Sequence, residues 1–556
     1  MKFSFWGGIA IVAGLFAGKG KAENLAPTKP NILLILADDL GFSDLGCYGS
    51  EIPTPNLDRL AADGLRFTQF YTTARCWPSR AAILTGYYAN QIRRDPLPLP
   101  GSKLANRPKW AQLLPQYLKP LGYRSYYSGK WHIDGTPAEG GFEHSYLLGD
   151  LNRYFSPQEI WEDGRKLPAV KRDSGYYTTV AIADYAIKYL KEHAAQHPDQ
   201  PFFEYVAFNA PHFPLQAPQD DIARYKGKYD AGWNQIRTER YHRELEMGIV
   251  HCGLSPMDST LRRPHGSMTE ARLQQLVGSM EVNRAFPWNE LTKVQQKFQA
   301  EKMEVYAAMI DRMDREIGRI IDQLKKMGCY DNTIILFTSD NGGSAEQLIR
   351  GDGNDPSAAV GSAGSFLGIG PGWATVANTP FRLYKIWVNE GGISAPLIVH
   401  WPKGIKDKGV LRRFPCHLID IVPTLVQVAG GNVAVLEKSR LDAPLFPGQS
   451  LLPVFANDQK ARDGILWWYH EGHPALREGD WKLVADQADE RDQTGSHGAW
   501  KLYNLSSDRS ETNNLIAQYP EKAASMIAKW GAITKKYEKD AGLLDSHPVE
   551  TRDEDH

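Results

Sequence analysis

The chain predicts an α/β protein, with a large, mixed but mostly parallel sheet between helices and a smaller C-terminal subdomain of antiparallel sheet plus helix. Three observations carry this. The runs Ile32-Leu33-Leu34-Ile35-Leu36 and Thr333-Ile334-Ile335-Leu336-Phe337 are continuously apolar instead of alternating, as strands covered on both faces are. Between them, Met303, Ala307, Ile310, Met313, Ile317, Ile320 and Leu324 recur at helical spacing and make one apolar stripe. Beyond residue 440 the pattern changes to short β-like runs separated by turns. Alternating helices and doubly buried strands specify layers of helix on both faces of a sheet.

In chain order, residues 1–22 read as a secretory leader. Lys2 supplies a positive start, the apolar run 5–16 is too short to span a bilayer, and Gly20-Lys21-Ala22 offers small residues at a cleavage offset. The expectation is a periplasmic or secreted protein with no stable membrane anchor. Residues 23–440 form the expected main α/β domain, with strands at 32–36, 123–128, 202–208, 333–337 and 397–399. The polar stretch 226–300, rich in Arg, His and Glu with Trp233 and Trp288, reads as an insertion over this scaffold. Trp233 and Arg237 are its candidates for contacting the ring faces and anionic groups of a ligand. Residues 351–380, rich in Gly, Ala and Ser, read as a flexible loop. Residues 441–556 form the C-terminal subdomain, with β-like runs at 465–469, 482–484 and 500–503 and a polar helix near 520–540.

With 556 residues, 42% of them hydrophobic, the chain can bury a large core. A net charge of −1 sets up no global field toward nucleic acid, so anion recognition has to be local. The five cysteines, Cys47, Cys76, Cys252, Cys329 and Cys416, match no zinc spacing. With Cys76 set aside, two disulfides are open to the other four, in no deducible pairing.

The chemistry-bearing residues cluster at strand ends. Asp38-Asp39 and Asp340-Asn341 each close an apolar run, which is where ligands bind in parallel sheets. Either pair alone also suits a helix cap. Together they are hard oxygen donors of the kind Ca²⁺ or Mg²⁺ takes. Lys130 and His132 follow one strand and His212 another, while Lys385 precedes Asn389-Glu390-Gly391-Gly392. Cys76-Trp77-Pro78-Ser79-Arg80 stands apart; most lone cysteines are buried and inert.

That pentapeptide resembles the signature of the type I, formylglycine-dependent sulfatases of the alkaline phosphatase superfamily. So do NILLILADDLGFSDLGCYG at 31–49, GKWH at 129–132, APHFPL at 210–215, SDNGG at 339–343, the run 390–402 and REGDWKLV at 477–484, in the family's order. Ile133-Asp134 stands where many members carry Leu-Gly, and Ser394-Ala395 where Arg-Val is common. The resemblance implies an alkaline-phosphatase-like fold and hydrolysis of sulfate monoesters, on sulfated carbohydrates or aryl sulfates. It implies oxidation of Cys76 to a formylglycine nucleophile by a maturation enzyme, and one Ca²⁺ held by Asp38, Asp39, Asp340, Asn341 and the modified Cys76. Arg80 and His132 are implied to hold the formylglycine; Lys130, His212 and Lys385 to grip sulfate; and His212 to protonate the leaving oxygen. A phosphate or phosphonate ester hydrolase on the same scaffold, or a non-catalytic binding protein, are the alternatives.

Overall fold

A computed structural model describes residues 1–4, 29–99, 102–260, 270–440, 442–458, 461–486 and 499–543. The expected leader lies outside these residues apart from its first four. The main sheet has eleven strands: β1 (Asn31–Ala37), β2 (Leu65–Tyr71), β3 (Arg124–Lys130), β4 (His144–Leu148), β5 (Ile160–Glu162), β6 (Arg165–Lys166), β7 (Phe202–Ala207), β8 (Thr333–Ser339), β9 (Ser394–His400), β10 (Val410–Arg412) and β11 (Cys416–His417). Their order is β10-β2-β9-β8-β1-β7-β3-β4-β5-β6, with β11 also on β2. The centre, β8-β1-β7-β3-β4, is wholly parallel. β9 runs antiparallel to β8 and β2, and β5 antiparallel to β4, so the sheet is mixed at its flanks.

The apolar runs are continuous because each strand has two cores to feed. Leu33, Ile35 and Ala37 of β1 pack with Met303, Ile310 and Ile317 of the long helix Lys293–Lys326. Ile32, Leu34 and Leu36 face the opposite core with Ala81, Leu84, Ile421 and Leu425. The long helix starts at a capping box, where Thr292 accepts from the Gln295 N–H. Halfway along it, Asp314 accepts from the N–H groups of Asn56 and Leu57 at 3.1 and 2.9 Å, capping the helix Pro55–Ala62 from outside.

The C-terminal subdomain is a meander of β12 (Leu466–His470), β13 (His473–Glu478), β14 (Trp481–Val484) and β15 (Lys501–Asn504), covered by the helix Pro520–Asp540. β13 escapes sequence reading because Gly472 and Pro474 break its pattern. Pro474 nevertheless sits in register opposite Tyr469, near the strand's start. Trp467, Leu476, Leu483 and Trp530 join the same core as Leu65 and Ile83, so the two units share a hydrophobic interior.

The expectation for 351–380 fails in its second half. Gly370–Ala377 is a fully buried helix. Its small residues serve close approach: a Cβ on Gly372 would stand 2.6 Å from the Trp233 ring, and one on Gly41 would meet the Ala377 carbonyl. The ligand contacts expected of Trp233 and Arg237 fail for the same reason. Trp233 is wholly buried, packs edge-on against Trp288 and Trp373, and donates from Nε1 to the Phe286 carbonyl at 2.8 Å. Arg237 is buried too, donating to the Ser255 carbonyl and Oγ at 2.6 and 2.7 Å. Among the described residues all five cysteines are unpaired.

Candidate active site

The parallel centre gathers the predicted residues at one edge. Asp38 and Asp39 follow β1, while Asp340 and Asn341 follow β8, which is paired with β1 up to Ala37 and Ser339. Lys130 ends β3 and His212 lies in the loop after β7. Gly129 makes the Lys130 end possible: at φ 127° it approaches β7 so closely that a Cβ would stand 1.9 Å from the Ala207 carbonyl oxygen. Cys76 is the first residue of the helix Cys76–Thr85, and Lys385 enters from the segment before β9. Asp39 and His132 hold left-handed backbone at φ 62° and 54°, which non-glycine residues keep where their surroundings over-determine it.

Each carboxylate meets a cation. Lys130 Nζ stands 2.6 Å from Asp38 Oδ2. Arg80 places NH2 2.8 Å from Asp340 Oδ2 and 3.5 Å from Asp38 Oδ1, and donates from NH1 to the Lys130 carbonyl at 2.9 Å. Lys385 Nζ is 3.0 Å from Asp39, Asn341 Nδ2 donates to Asp39 Oδ1 at 2.7 Å, and His212 Nε2 lies 3.6 Å from Asp39 Oδ2. Burial raises Asp38, but Lys130, His212, Arg80 and Lys385 outweigh it and hold this carboxyl well below the usual range. Burial and the Asp38 charge push Asp340 up to about 7. Burial, against Asp39 and Asp38, brings His212 down to about 4. Burial also pushes the Cys76 thiol up, although Lys130 and Lys385 pull it back. At neutral pH that thiol carries its proton and is a poor nucleophile.

The residues fit a hard divalent cation. Asp38, Asp39, Cys76 and His212 offer ligand atoms all within 4.8 Å of one another. Asp38 Oδ1 and Asn341 Oδ1 are buried with no hydrogen-bond partner, and such oxygens are suited to a metal ion. The compact group includes His212, which the sequence reading assigned to sulfate. Asp340 lies behind Asp39, accepting its N–H at 3.2 Å. His132 opens to solvent, edge-on to Trp77 at 5.8 Å.

Two motif stretches lie elsewhere. Glu390 and Lys482 are 3.0 Å apart in a buried charge network between the subdomains. The departures at 134 and 394 are structural: Asp134 accepts from the Arg107 N–H and Nε at 3.0 and 2.8 Å, and Ser394 Oγ donates to Glu390 at 3.3 Å. Sequence reading missed Glu346, buried 2.7 Å from Lys385 Nζ and 3.1 Å from Arg75. A lone glutamate in a Gly- and Ser-rich stretch carries no local signal.

Comparison with known proteins identifies the family. The family model described as Sulfatase matches residues 30–431. An uncharacterized sulfatase of Schizosaccharomyces pombe is 31% identical over 93% of this chain and 94% of its own. An arylsulfatase of Klebsiella aerogenes is 32% identical over 82% of this chain and 98% of its own. The crystal structure of Ps i-CgsB in complex with k-i-k-neocarrahexaose superposes with a TM-score of 0.61 at 25% identity, covering 91% of this chain and 93% of that one. With a family match over most of its length and the expected fold beneath it, this chain belongs to the sulfatase family and is a sulfate-ester hydrolase.

Proposed function

We propose that this sulfatase removes sulfate from sulfated saccharides, accepting aryl sulfates as simpler substrates, through a formylglycine made from Cys76 and a bound Ca²⁺. The observation that carries the reading is the convergence of Cys76, the acidic set and the cations Lys130, Lys385 and Arg80 on one strand edge. Asp38, Asp39, Asp340 and Asn341, with the modified Cys76, would hold the cation. Ca²⁺ supplies charge for the sulfuryl oxygens and makes a bound hydroxyl more acidic. A hydrated formylglycine supplies one hydroxyl to attack sulfur and a second whose deprotonation expels sulfate and restores the aldehyde.

The chain's own groups do the rest. Lys130 pairs with Asp38 and Lys385 with Asp39, and both can face the anionic ester. Arg80, which pairs with Asp340 and the end of β3, and His132, edge-on to Trp77, would hold the formylglycine. His212 gives Nδ1 to the Phe213 carbonyl, which leaves Nε2 turned toward Asp39 and the reacting centre. Its charged form is disfavoured in the free site, but an anionic ester beside it shifts that balance toward protonation. Nε2 then protonates the leaving oxygen. The saccharide assignment is supported by the neighbour solved with a neocarrahexaose. A maturation enzyme acting on Cys76 and export to the periplasm or beyond complete the proposal.

The test is direct. Mass spectrometry of the residue-76 peptide, metal analysis, and sulfate release from aryl sulfate and sulfated mono- and oligosaccharides are measured alongside aryl phosphate. Aldehyde at position 76, calcium on the protein and preference for sulfate are expected. Full activity with an intact thiol, or preference for phosphate, overturns the mechanism; inert saccharides beside active aryl sulfate overturn the substrate class.

A further inference from the structure

We propose that Glu346 is a positioning residue for sulfate recognition: it bridges Arg75, the neighbour of Cys76, to Lys385 and holds the lysine ammonium where the sulfate must sit. The inference rests on the assignment of Lys385 to sulfate binding above. Glu346 is buried, with Oε2 2.7 Å from Lys385 Nζ and Oε1 3.1 Å from Arg75 NH2. Its own backbone is pinned, because Gly368 packs so tightly that a Cβ there would stand 2.3 Å from the Glu346 carbonyl oxygen.

An ammonium has three donors. Both Asp39 oxygens, at 3.0 Å, and Glu346, at 2.7 Å, draw Lys385 Nζ, and a substrate oxygen would share this ammonium with Asp39 while Glu346 holds it in place. Without Glu346, the Asp39 contact alone orients the lysine, and its ammonium is no longer held toward the sulfate position.

The backbone supports the same bridge. Leu383 and Ile386, on either side of Lys385, take φ 67° and 88°, and Ala74, just before Arg75, takes φ 68°. A β-branched residue at positive φ is a true outlier and persists only where its surroundings impose it. These two strained turns are joined: the Ile386 N–H donates to the Ala74 carbonyl at 2.8 Å, and the Lys385 N–H donates to the Gly343 carbonyl at 3.1 Å. Arg75 is in turn held from the C-terminal hairpin by Glu471 at 3.4 Å and lies over the Trp77 ring at 4.7 Å. The segments bearing the nucleophile and the lysine are thus locked together twice, by a peptide hydrogen bond and by Glu346.

A double-mutant cycle with Lys385→Ala tests this, reading kcat and KM on an aryl sulfate, the inhibition constant of inorganic sulfate, calcium per chain and the urea midpoint. Glu346→Gln should lower kcat/KM and weaken sulfate inhibition about tenfold, a coupling within the range of contacting residues. Calcium content and the urea midpoint should not change. In the Lys385→Ala background, Glu346→Gln should add less than about twofold. Glu346→Asp, which keeps the charge on a shorter stem, should recover part of the loss. Equal losses in both backgrounds, or loss of calcium with Glu346→Gln, overturn the proposal. If Glu346→Gln fails to fold, the same cycle with Glu346→Asp decides it by the same additivity criterion. Failure of the underlying reading looks different: Lys385→Ala alone then leaves kcat/KM and sulfate inhibition unchanged.

Discussion

Lys482→Met tests whether charge clamps the C-terminal sheet to the catalytic domain. Lys482 is fully buried, with Nζ 3.0 Å from Glu390 Oε1 and 2.8 Å from Glu511 Oε1. In the variant Glu390 keeps Arg509 at 3.0 Å and the Tyr71 hydroxyl at 2.9 Å. Glu511 keeps neutral donors, the Glu390 N–H at 3.0 Å and Asn389 Nδ2 at 2.9 Å. Methionine fills the space of the lysine stem, so the perturbation is mainly the lost charge. Stranding one partner of a buried ion pair costs about 3–5 kcal/mol, a large part of a typical stability of about 5–15 kcal/mol. With m about 3 kcal/mol/M, the urea midpoint falls by about 1–1.7 M. The sign of the pH dependence is also fixed. Burial already raises Glu511 above the ordinary range, with Lys482 pulling it down, so losing the lysine raises it further. A carboxyl whose folded pKa exceeds its unfolded value of about 4.3 costs nothing below that value and more as pH climbs above it. The deficit is therefore largest at pH 8 and contracts toward pH 5. Tryptophan fluorescence in urea at both pH values measures it, and Glu511→Gln in the variant should recover part of the pH 8 loss. A midpoint within about 0.3 M of the parent at pH 8, or a deficit equal at both pH values, refutes the clamp.

His212→Ala should cost roughly 10²–10⁴-fold on sulfate esters with poor leaving groups and less on activated aryl sulfates; equal losses across a leaving-group series would assign it to binding alone. Asp340→Ala should remove both calcium and turnover, read by metal analysis and sulfate release; retained calcium would exclude Asp340 from the metal set. Glu204, fully buried on β7 with neither carboxyl oxygen hydrogen-bonded, is pushed well above the carboxylate range by burial. Glu204→Met should therefore stabilise the fold by about 1–3 kcal/mol at pH 8. That gain should shrink toward pH 4.5, where the unfolded carboxyl also takes its proton; an unchanged urea midpoint at pH 8 would contradict it.

Much of the site was legible because its signals are local. A continuous apolar run that closes in acidic residues reads as a strand covered on both faces, with its end opening at the sheet's carboxyl edge. Ile32–Leu36 and Thr333–Phe337 met this condition independently, so the pairing of β1 with β8 brought Asp38 and Asp340 together as their placement implied. The long helix was equally plain, since its stripe at Met303 to Leu324 follows a period that needs no partner to be seen. The roles of the basic residues came from motif resemblance, because a lysine past a strand end has no period of its own.

What the sequence left open depends on which distant segments meet. The Gly- and Ala-rich stretch 351–380 has the composition of a flexible loop, yet Gly372 is small because the Trp233 ring lies on it. That same contact takes Trp233 from a candidate sugar platform into the core. Glu346 and Lys385 are far apart in sequence, as are Glu390, Lys482 and Glu511, and no spacing rule pairs them. The sequence by itself determined the central doubly covered strands, the long helix and the acidic strand ends, through continuous apolar runs, a period of 3.6 residues and the demand that apolar faces be covered. Only the tertiary structure decided which charges neutralise one another, because a buried ion pair is defined by a distance between segments that local pattern does not encode.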